Sequence, residues 1–227
     1  MFNGLQLPKR IFVDSSKYNE KIEVFQVGNN YRLSVNNIVQ SINVDNPTVH
    51  KRVWGKLVKL VSDKEPNAQN ILLLGLAGAT MPHLFAQEMP NTKITAIEID
   101  KKMIDVAKEF FDLDKIKNLN VINADAMLAL SEPEEFDLKR NSFDVIIVDI
   151  YCGGDYPDLG KTGTFFEGLK RHAKPGALIV FNRIYITAYQ NDVDTFIKSI
   201  EGIFSDVNTC TVAGRTNSDN MLISARV

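Results

Sequence analysis

Three carboxylates stand at the ends of apolar runs: Glu98 closes Lys93–Glu98 (KITAIE), Asp125 follows Leu119–Asn123 (LNVIN), and Asp149 sits near the end of Phe143–Ile150 (FDVIIVDI). A fourth run, Ile71–Leu74, ends in the small-residue turn Gly75-Leu76-Ala77-Gly78-Ala79, and Glu98 falls 23 residues after Gly75. Small residues let backbone N–H groups approach a ligand, and an acid at the end of the next strand accepts hydrogen bonds from a pair of ribose hydroxyls. The chemistry this pattern points to is the binding of a nucleoside. Each acid alone is equally consistent with capping the helix that follows it, so the weight rests on the set and the turn together.

The elements that must position these groups follow from periodicity. Ile71–Leu74 and Phe143–Ile150 are apolar without helical spacing and read as strands buried on both faces. After the turn, Met81, Leu84, Phe85 and Met89 fall three and four apart, so the turn opens into an amphipathic helix. Met103, Ile104, Ala107, Phe110 and Phe111 mark a second helix, and Glu132–Asn141 is a charged excursion. Tyr151 to Pro157 reads as a loop, and Phe165, Phe166 and Leu169 lie on a helix ended by the basic and breaking residues His172 to Gly176. Strand Ala177–Phe181, a helix over Val193–Phe204, and strands Val207–Val212 and Met221–Val227, joined by a hairpin turn over Gly214–Asn220, complete the chain. This alternation predicts an α/β fold: a doubly wound, mostly parallel seven-stranded sheet with an antiparallel C-terminal strand at its edge. Ligands in such sheets sit at the carboxyl ends of the strands, where the three acids fall. The turn lacks two of the glycines of a dinucleotide loop, at 77 and 80. Gly75, Ala77 and Ala79 satisfy the GxGxG pattern of methyltransferase-type loops.

Residues 1–44 are β-rich. Ile22, Val24 and Gln26 alternate with their neighbours, Gly28-Asn29-Asn30 turns the chain, Tyr31, Leu33 and Val35 alternate again, and Asn36-Asn37 leads into Ile38-Val39-Gln40, giving a small meander. Asn46-Pro47 reads as the start of a helix whose face is Val49, Val53, Trp54, Leu57, Val58 and Val61. The polar stretch Ser62–Asn70 suggests a division into residues 1–65, meander plus connecting helix, and 66–227, the nucleoside-binding domain. With 26 Lys+Arg against 28 Asp+Glu the net charge is −2, which argues against a nucleic-acid partner. The opening MFNGLQLPKR has no apolar core and no run approaches a membrane span, so the expectation is a cytoplasmic protein without a membrane partner. Cys152 and Cys210 are too few for a disulfide framework and have no neighbours at metal-ligand spacing, so no metal is expected.

These residues resemble, over nearly the whole chain, the spermidine synthase and spermidine-synthase-like branch of the class I methyltransferase fold. LLLGLAGAT is similar to that family's nucleoside loop, AIEID to its ribose-binding strand end, NADAM to its adenine segment, DVIIVDIY to its catalytic strand, and KPGALIV and NMLISA to its last strands. Tyr18-Asn19 falls where the family has Tyr-Gln, and VNNIVQS where it has a variant of LDGVIQ. The resemblance implies a cradle at Gly75, Ala77 and Gly78, ribose at Glu98 and Ile99, adenine at Asp125 and Ala126, and an acceptor amine at Asp149 assisted by Tyr151. Asn19, Gln40, His50 and Asp155 are the implied substrate contacts. There are also departures. The acid of the family's loop falls on Gly78, a second acid falls on Cys152, and an acid near the N-terminus is replaced by Lys51, although Asp45 and His50 match.

A sulfonium nucleoside is already activated, so such a protein has only to align a nucleophile, accept its proton and exclude water. The expectation is a small-molecule transferase using S-adenosylmethionine, decarboxylated S-adenosylmethionine or a related thioether such as methylthioadenosine. Methyl or other alkyl transfer comes first, because Lys51 would repel a diamine and Gly78 offers no acid. Aminopropyl transfer to a polyamine is the alternative, and a nucleoside binder without catalysis is the reading from another class. A homodimer is the expected assembly by family analogy.

Overall fold

The computed structural model describes residues 7–152, 155–214 and 219–227. The chain begins with a four-stranded antiparallel meander: β1 (Lys9–Asp14), β2 (Ile22–Val27), β3 (Asn30–Val35) and β4 (Ile38–Ile42), in that order across the sheet. Asn36 and Asn37 both take positive φ at the β3–β4 turn, as the side chains most tolerant of that conformation.

A three-residue 3₁₀ turn, Val49–Lys51, precedes α1 (Val53–Lys64). The expected helix start at Asn46-Pro47 is thus displaced. The Asn46 side chain accepts from Thr48 instead, and Arg52 is extended, which breaks the helical run before Val53. The 3₁₀ turn doubles back on α1 so closely that a Cβ on Gly55 would lie 2.4 Å from the His50 Cα.

Next come β5 (Asn70–Leu74), α2 (Thr80–Glu88), β6 (Lys93–Glu98), α3 (Lys101–Phe110), β7 (Leu119–Asn123), α4 (Ala126–Ser131), β8 (Phe143–Val148), α5 (Gly163–His172), β9 (Ala173–Ile184), α6 (Gln190–Glu201), β10 (Ser205–Val212) and β11 (Asn220–Arg226). The strands form one seven-stranded sheet in the order β10-β11-β9-β8-β5-β6-β7. β5, β6, β7, β8 and β9 are parallel, and β11 is antiparallel to both β9 and β10. The reversed strand is therefore second from the edge, not at it. From β5 the chain moves outward through β6 and β7 and returns to β8 on the other flank, so the topological switch lies between β5 and β8.

Alternate residues of the central strands feed two cores, which is why their sequences are apolar throughout. Ile71, Leu73, Val145 and Ile147 pack with Leu57, Val61, Leu84 and Phe85 on one face, and Leu72, Leu74, Ile146 and Val148 pack with Phe165, Phe166, Leu169 and Phe196 on the other. A third cluster joins Ile22, Val24, Leu33 and Val35 of the meander to Met103, Val106 and Phe111 at α3, which fixes the small sheet over the carboxyl ends of the large one.

β9 begins directly after α5, although its first residues include Pro175 and Gly176. A register shift between Phe143 and Val145 of β8, and φ of +75° at Gly176, absorb them as an irregularity within the strand. Of the expected loop at Tyr151 to Pro157, Gly153 and Gly154 lie outside the described residues, as do residues 215–218 of the expected hairpin turn and the opening residues 1–6.

Candidate active site

A cavity of about 290 Å³ opens at the carboxyl ends of β5, β6 and β8, under the meander. Gly75, Ala77, Glu98, Ile99, Asp125, Ala126, Asp149 and Tyr151 line it from the large sheet, and Asn19 and Gln40 from the small one. Three residues expected at the site are elsewhere among the described residues. Gly78 donates its N–H to Ser41 Oγ at 2.8 Å and faces β4. His50 is exposed on the 3₁₀ turn. Asp155 accepts from the Tyr189 hydroxyl at 2.9 Å and lines a neighbouring cavity with Arg183 and Asp192. Lys51 is exposed and does not line the main cavity, so the charge conflict expected from it does not arise there.

The cradle is backbone on its inner side because nothing else has room. Gly75 has φ of +94°, and a Cβ there would lie 2.2 Å from the Asp149 carbonyl oxygen. Ala77 and Ala79 also take positive φ, which their small side chains tolerate at a modest cost. The outer side of the turn is fixed to β4 by Thr80, whose hydroxyl donates to the Ile42 carbonyl at 2.7 Å and accepts from its N–H at 3.1 Å.

Glu98 is buried. Its Oε2 accepts from the N–H groups of Leu76 (3.0 Å) and Ala77 (3.2 Å), and its Oε1 from that of Asp100 (3.0 Å). Burial raises its pKa despite those three donors, and the nearby Asp100 charge adds to the rise. Asp125 caps α4, its Oδ1 accepting from Met127 N (2.7 Å) and Leu128 N (3.1 Å), so the capping reading and the cavity position hold together.

Asp149 is the second perturbed acid of the cavity. Burial pushes its pKa up to about 6, with Asn182 pulling it down and the Glu98 charge raising it further. The Asn182 amide donates to Asp149 Oδ1 at 2.7 Å. Tyr151 presents only its ring to the site. Its hydroxyl donates to the Asn182 carbonyl and accepts from Ile184 N, both at 2.8 Å, and burial raises its pKa well above the ordinary phenol value. A neutral hydroxyl held on β9 in this way makes Tyr151 an anchor of the loop rather than a proton carrier.

Residues 52–226 match the spermine/spermidine synthase domain. The chain belongs to the spermine/spermidine synthase family. A probable polyamine aminopropyl transferase of Bifidobacterium longum (strain NCC 2705) is 30% identical over 156 residues, covering 67% of this chain and 33% of that protein. The polyamine aminopropyltransferase of Pyrococcus abyssi (strain GE5 / Orsay) is 28% identical over 214 residues, 86% of this chain and 72% of its own length. The crystal structure of a probable spermidine synthase from Corynebacterium glutamicum ATCC 13032 superposes with a TM-score of 0.73 at 18% identity, covering 99% of this chain and 81% of that one, a likeness of fold. This member of the family spans 33%, 52% and 61% of the length of three curated relatives it matches. These relatives reverse the order expected from the sequence: aminopropyl transfer stands ahead of methyl transfer.

Two groups that shape the family member's site escape a sequence reading. Asp100 caps α3 through Oδ1 to Lys102 N, while its Oδ2 accepts from Ser16 Oγ (2.5 Å) and Asn19 Nδ2 (2.7 Å), tying the meander to the cavity edge. An Asp directly before an amphipathic run is a helix-start signal, but its bond to Asn19 spans 81 positions and has no local signature. Asn182 lies inside an apolar strand, where only the strand pairing reveals its contact with Asp149.

Proposed function

We propose that the chain is an alkyl transferase that moves an aminopropyl group from decarboxylated S-adenosylmethionine to an amine. The observation that carries this reading is the pair Glu98 and Asp149 on one cavity with the backbone of Gly75 to Ala77. The residues present fit a nucleoside: a cavity bordered by the small-residue turn Gly75 to Ala77, and a buried carboxylate beside it whose donors are backbone N–H groups. When bound, a sulfonium nucleoside supplies an activated carbon with a neutral thioether as leaving group.

In this proposal Glu98, with Ile99 beside it, accepts from the ribose hydroxyls, Asp125 and Ala126 hold the adenine side, and Asn19 and Gln40 line the acceptor end. Asp149 holds the incoming amine. An amine arrives as an ammonium and attacks only after losing a proton, and a carboxylate with a pKa of about 6 is a stronger base than an ordinary aspartate while still ionised at neutral pH. Asp149 takes the ammonium proton before attack; the freed lone pair then forms the C–N bond as the C–S bond breaks, so the sulfonium charge passes to the alkylated nitrogen and the thioether leaves neutral. The meander above and the Tyr151 ring beside it restrict water. The division at residue 65 into meander and transferase domain, and a homodimer as the working assembly, belong to the same proposal.

One observation favours methyl transfer as a second reading: Gly78, where the resemblance places an acid for the donor amine, is turned to Ser41 and supplies no charge to the cavity. Calorimetric titration with S-adenosylmethionine, its decarboxylated form and methylthioadenosine, followed by turnover with putrescine, separates the readings. Tighter binding of the decarboxylated donor with spermidine formed supports aminopropyl transfer. Preference for S-adenosylmethionine overturns it in favour of methyl transfer, and tight binding without turnover leaves a nucleoside binder.

A further inference from the structure

Behind Asp149 two adjacent strands contribute a pair of side-chain amides. Asn220, at the start of β11, donates from Nδ2 to Asn182 Oδ1 at 3.0 Å, and Asn182, on β9, donates from its own Nδ2 to Asp149 Oδ1 at 2.7 Å. Asn182 is 4% exposed. Its amide has two orientations, and they are not equivalent. With Oδ1 engaged by Asn220, the NH₂ group faces Asp149. Reversed, an amide oxygen would face a carboxylate oxygen at hydrogen-bond distance, which requires a proton between them. The Asn182 carbonyl also receives the Tyr151 hydroxyl, so one residue fixes both the acid and the loop beside it.

We propose that Asn182 and Asn220 form a positioning relay that keeps the Asp149 carboxylate ionised and turned toward the acceptor amine. This rests on the role of Asp149 proposed above. Burial, and after it the Glu98 carboxylate from β6, oppose ionisation of Asp149, and the Tyr151 and Tyr156 phenols, themselves kept neutral by burial, bring no positive charge to it. Asn182 supplies the donor that offsets them, and Asn220, across β11, selects the orientation in which it does so.

The test is the titration of the Asp149 carboxyl carbon by ¹³C NMR in ligand-free protein, assigned by its loss in Asp149→Asn. Asn182→Ala is expected to raise the midpoint by about one unit or more, the size of a lost hydrogen bond to the charged form. Asn220→Ala shifts it in the same direction by less, and Asn220→Ser, which restores a donor, returns it toward the parent value. In turnover the acidic limb of the kcat profile moves to higher pH by the same amounts, with KM for the donor unchanged. If the amides only tie β9 to β11, melting temperatures fall and the midpoint stays. An unmoved midpoint in either alanine variant, with the fold intact, overturns the relay. Should Asn182→Ala not fold, the Asn220 pair carries the test. Because the titration needs no substrate, failure of the relay and failure of the transferase reading are seen separately.

Discussion

Gly75 and Asp149 meet backbone to backbone: a Cβ on the glycine would lie 2.2 Å from the aspartate carbonyl oxygen, and Asp149 N in turn donates to the Leu74 carbonyl at 2.9 Å. The cradle and the proposed base are thus set by one contact across the switch between β5 and β8. Gly75→Ala must displace the Asp149 backbone and hold alanine at a φ of +94°. Overpacking and positive-φ strain together are expected to lower the unfolding free energy by about 2–4 kcal/mol. Urea denaturation reads this directly, and a loss within about 0.5 kcal/mol of zero contradicts the close approach.

Glu98 holds the turn through Leu76 and Ala77 as well as being the proposed ribose partner. Glu98→Ala is expected to weaken methylthioadenosine binding by roughly 1–3 kcal/mol, through lost charge-assisted hydrogen bonds. Calorimetry at neutral pH measures it. Unchanged affinity excludes the ribose assignment.

The legible parts of this protein are those where local pattern and tertiary demand coincide. Ile71–Leu74 and Val145–Val148 are buried on both faces, so no residue in either run is ambiguous, and the acids at the strand tips follow from where the runs stop. Asn46-Pro47 misleads because an asparagine can bond two residues ahead in a local turn as well as start a helix, and the extended Arg52 that decides between them carries no sequence mark. Pro175 and Gly176 read as terminators, yet pairing with β8 and β11 on both sides outweighs one local irregularity. In the site, Glu98, Asp125 and Asp149 were visible as strand ends. The direction of the Tyr151 hydroxyl, the amide behind Asp149 and the position of His50 away from the cavity depend on strand register and chain reversal, which single residues do not encode.

Asp149 makes stability and function oppose each other. Its pKa is about 6 in the folded chain against 3.8 for the free side chain, so between those values the folded state binds more protons than the unfolded one. The contribution to stability is fully present below about pH 4 and is lost as the pH rises through 6. Replacing the charge removes this penalty. Asp149→Asn is expected to raise unfolding free energy at pH 8 by roughly 1–3 kcal/mol relative to its effect at pH 4, while abolishing amine alkylation. Thermal melts of both proteins across that range decide it, and parallel pH dependences would show that Asp149 has an ordinary pKa.

The acid that the resemblance places at position 78 cannot simply be put back. A Cβ on Gly78 would lie 2.7 Å from Ser41 Cβ and 3.0 Å from its Oγ, and the Gly78 N–H is already held by that hydroxyl. Any side chain there is driven against β4 rather than into the cavity. Gly78→Asp is therefore expected to lose about 1–3 kcal/mol of stability by overpacking, and to gain no preference for decarboxylated S-adenosylmethionine over S-adenosylmethionine. Pairing it with Ser41→Gly removes the obstructing Cβ and Oγ and should recover most of the stability, since the two positions are in contact and their effects do not add. A double-mutant cycle by denaturation, with calorimetry of both donors on each variant, measures the two outcomes together. If Gly78→Asp alone folds normally and binds the decarboxylated donor more tightly, the turn is more adaptable than its contact with Ser41 requires, and donor choice in this chain rests on that one missing charge.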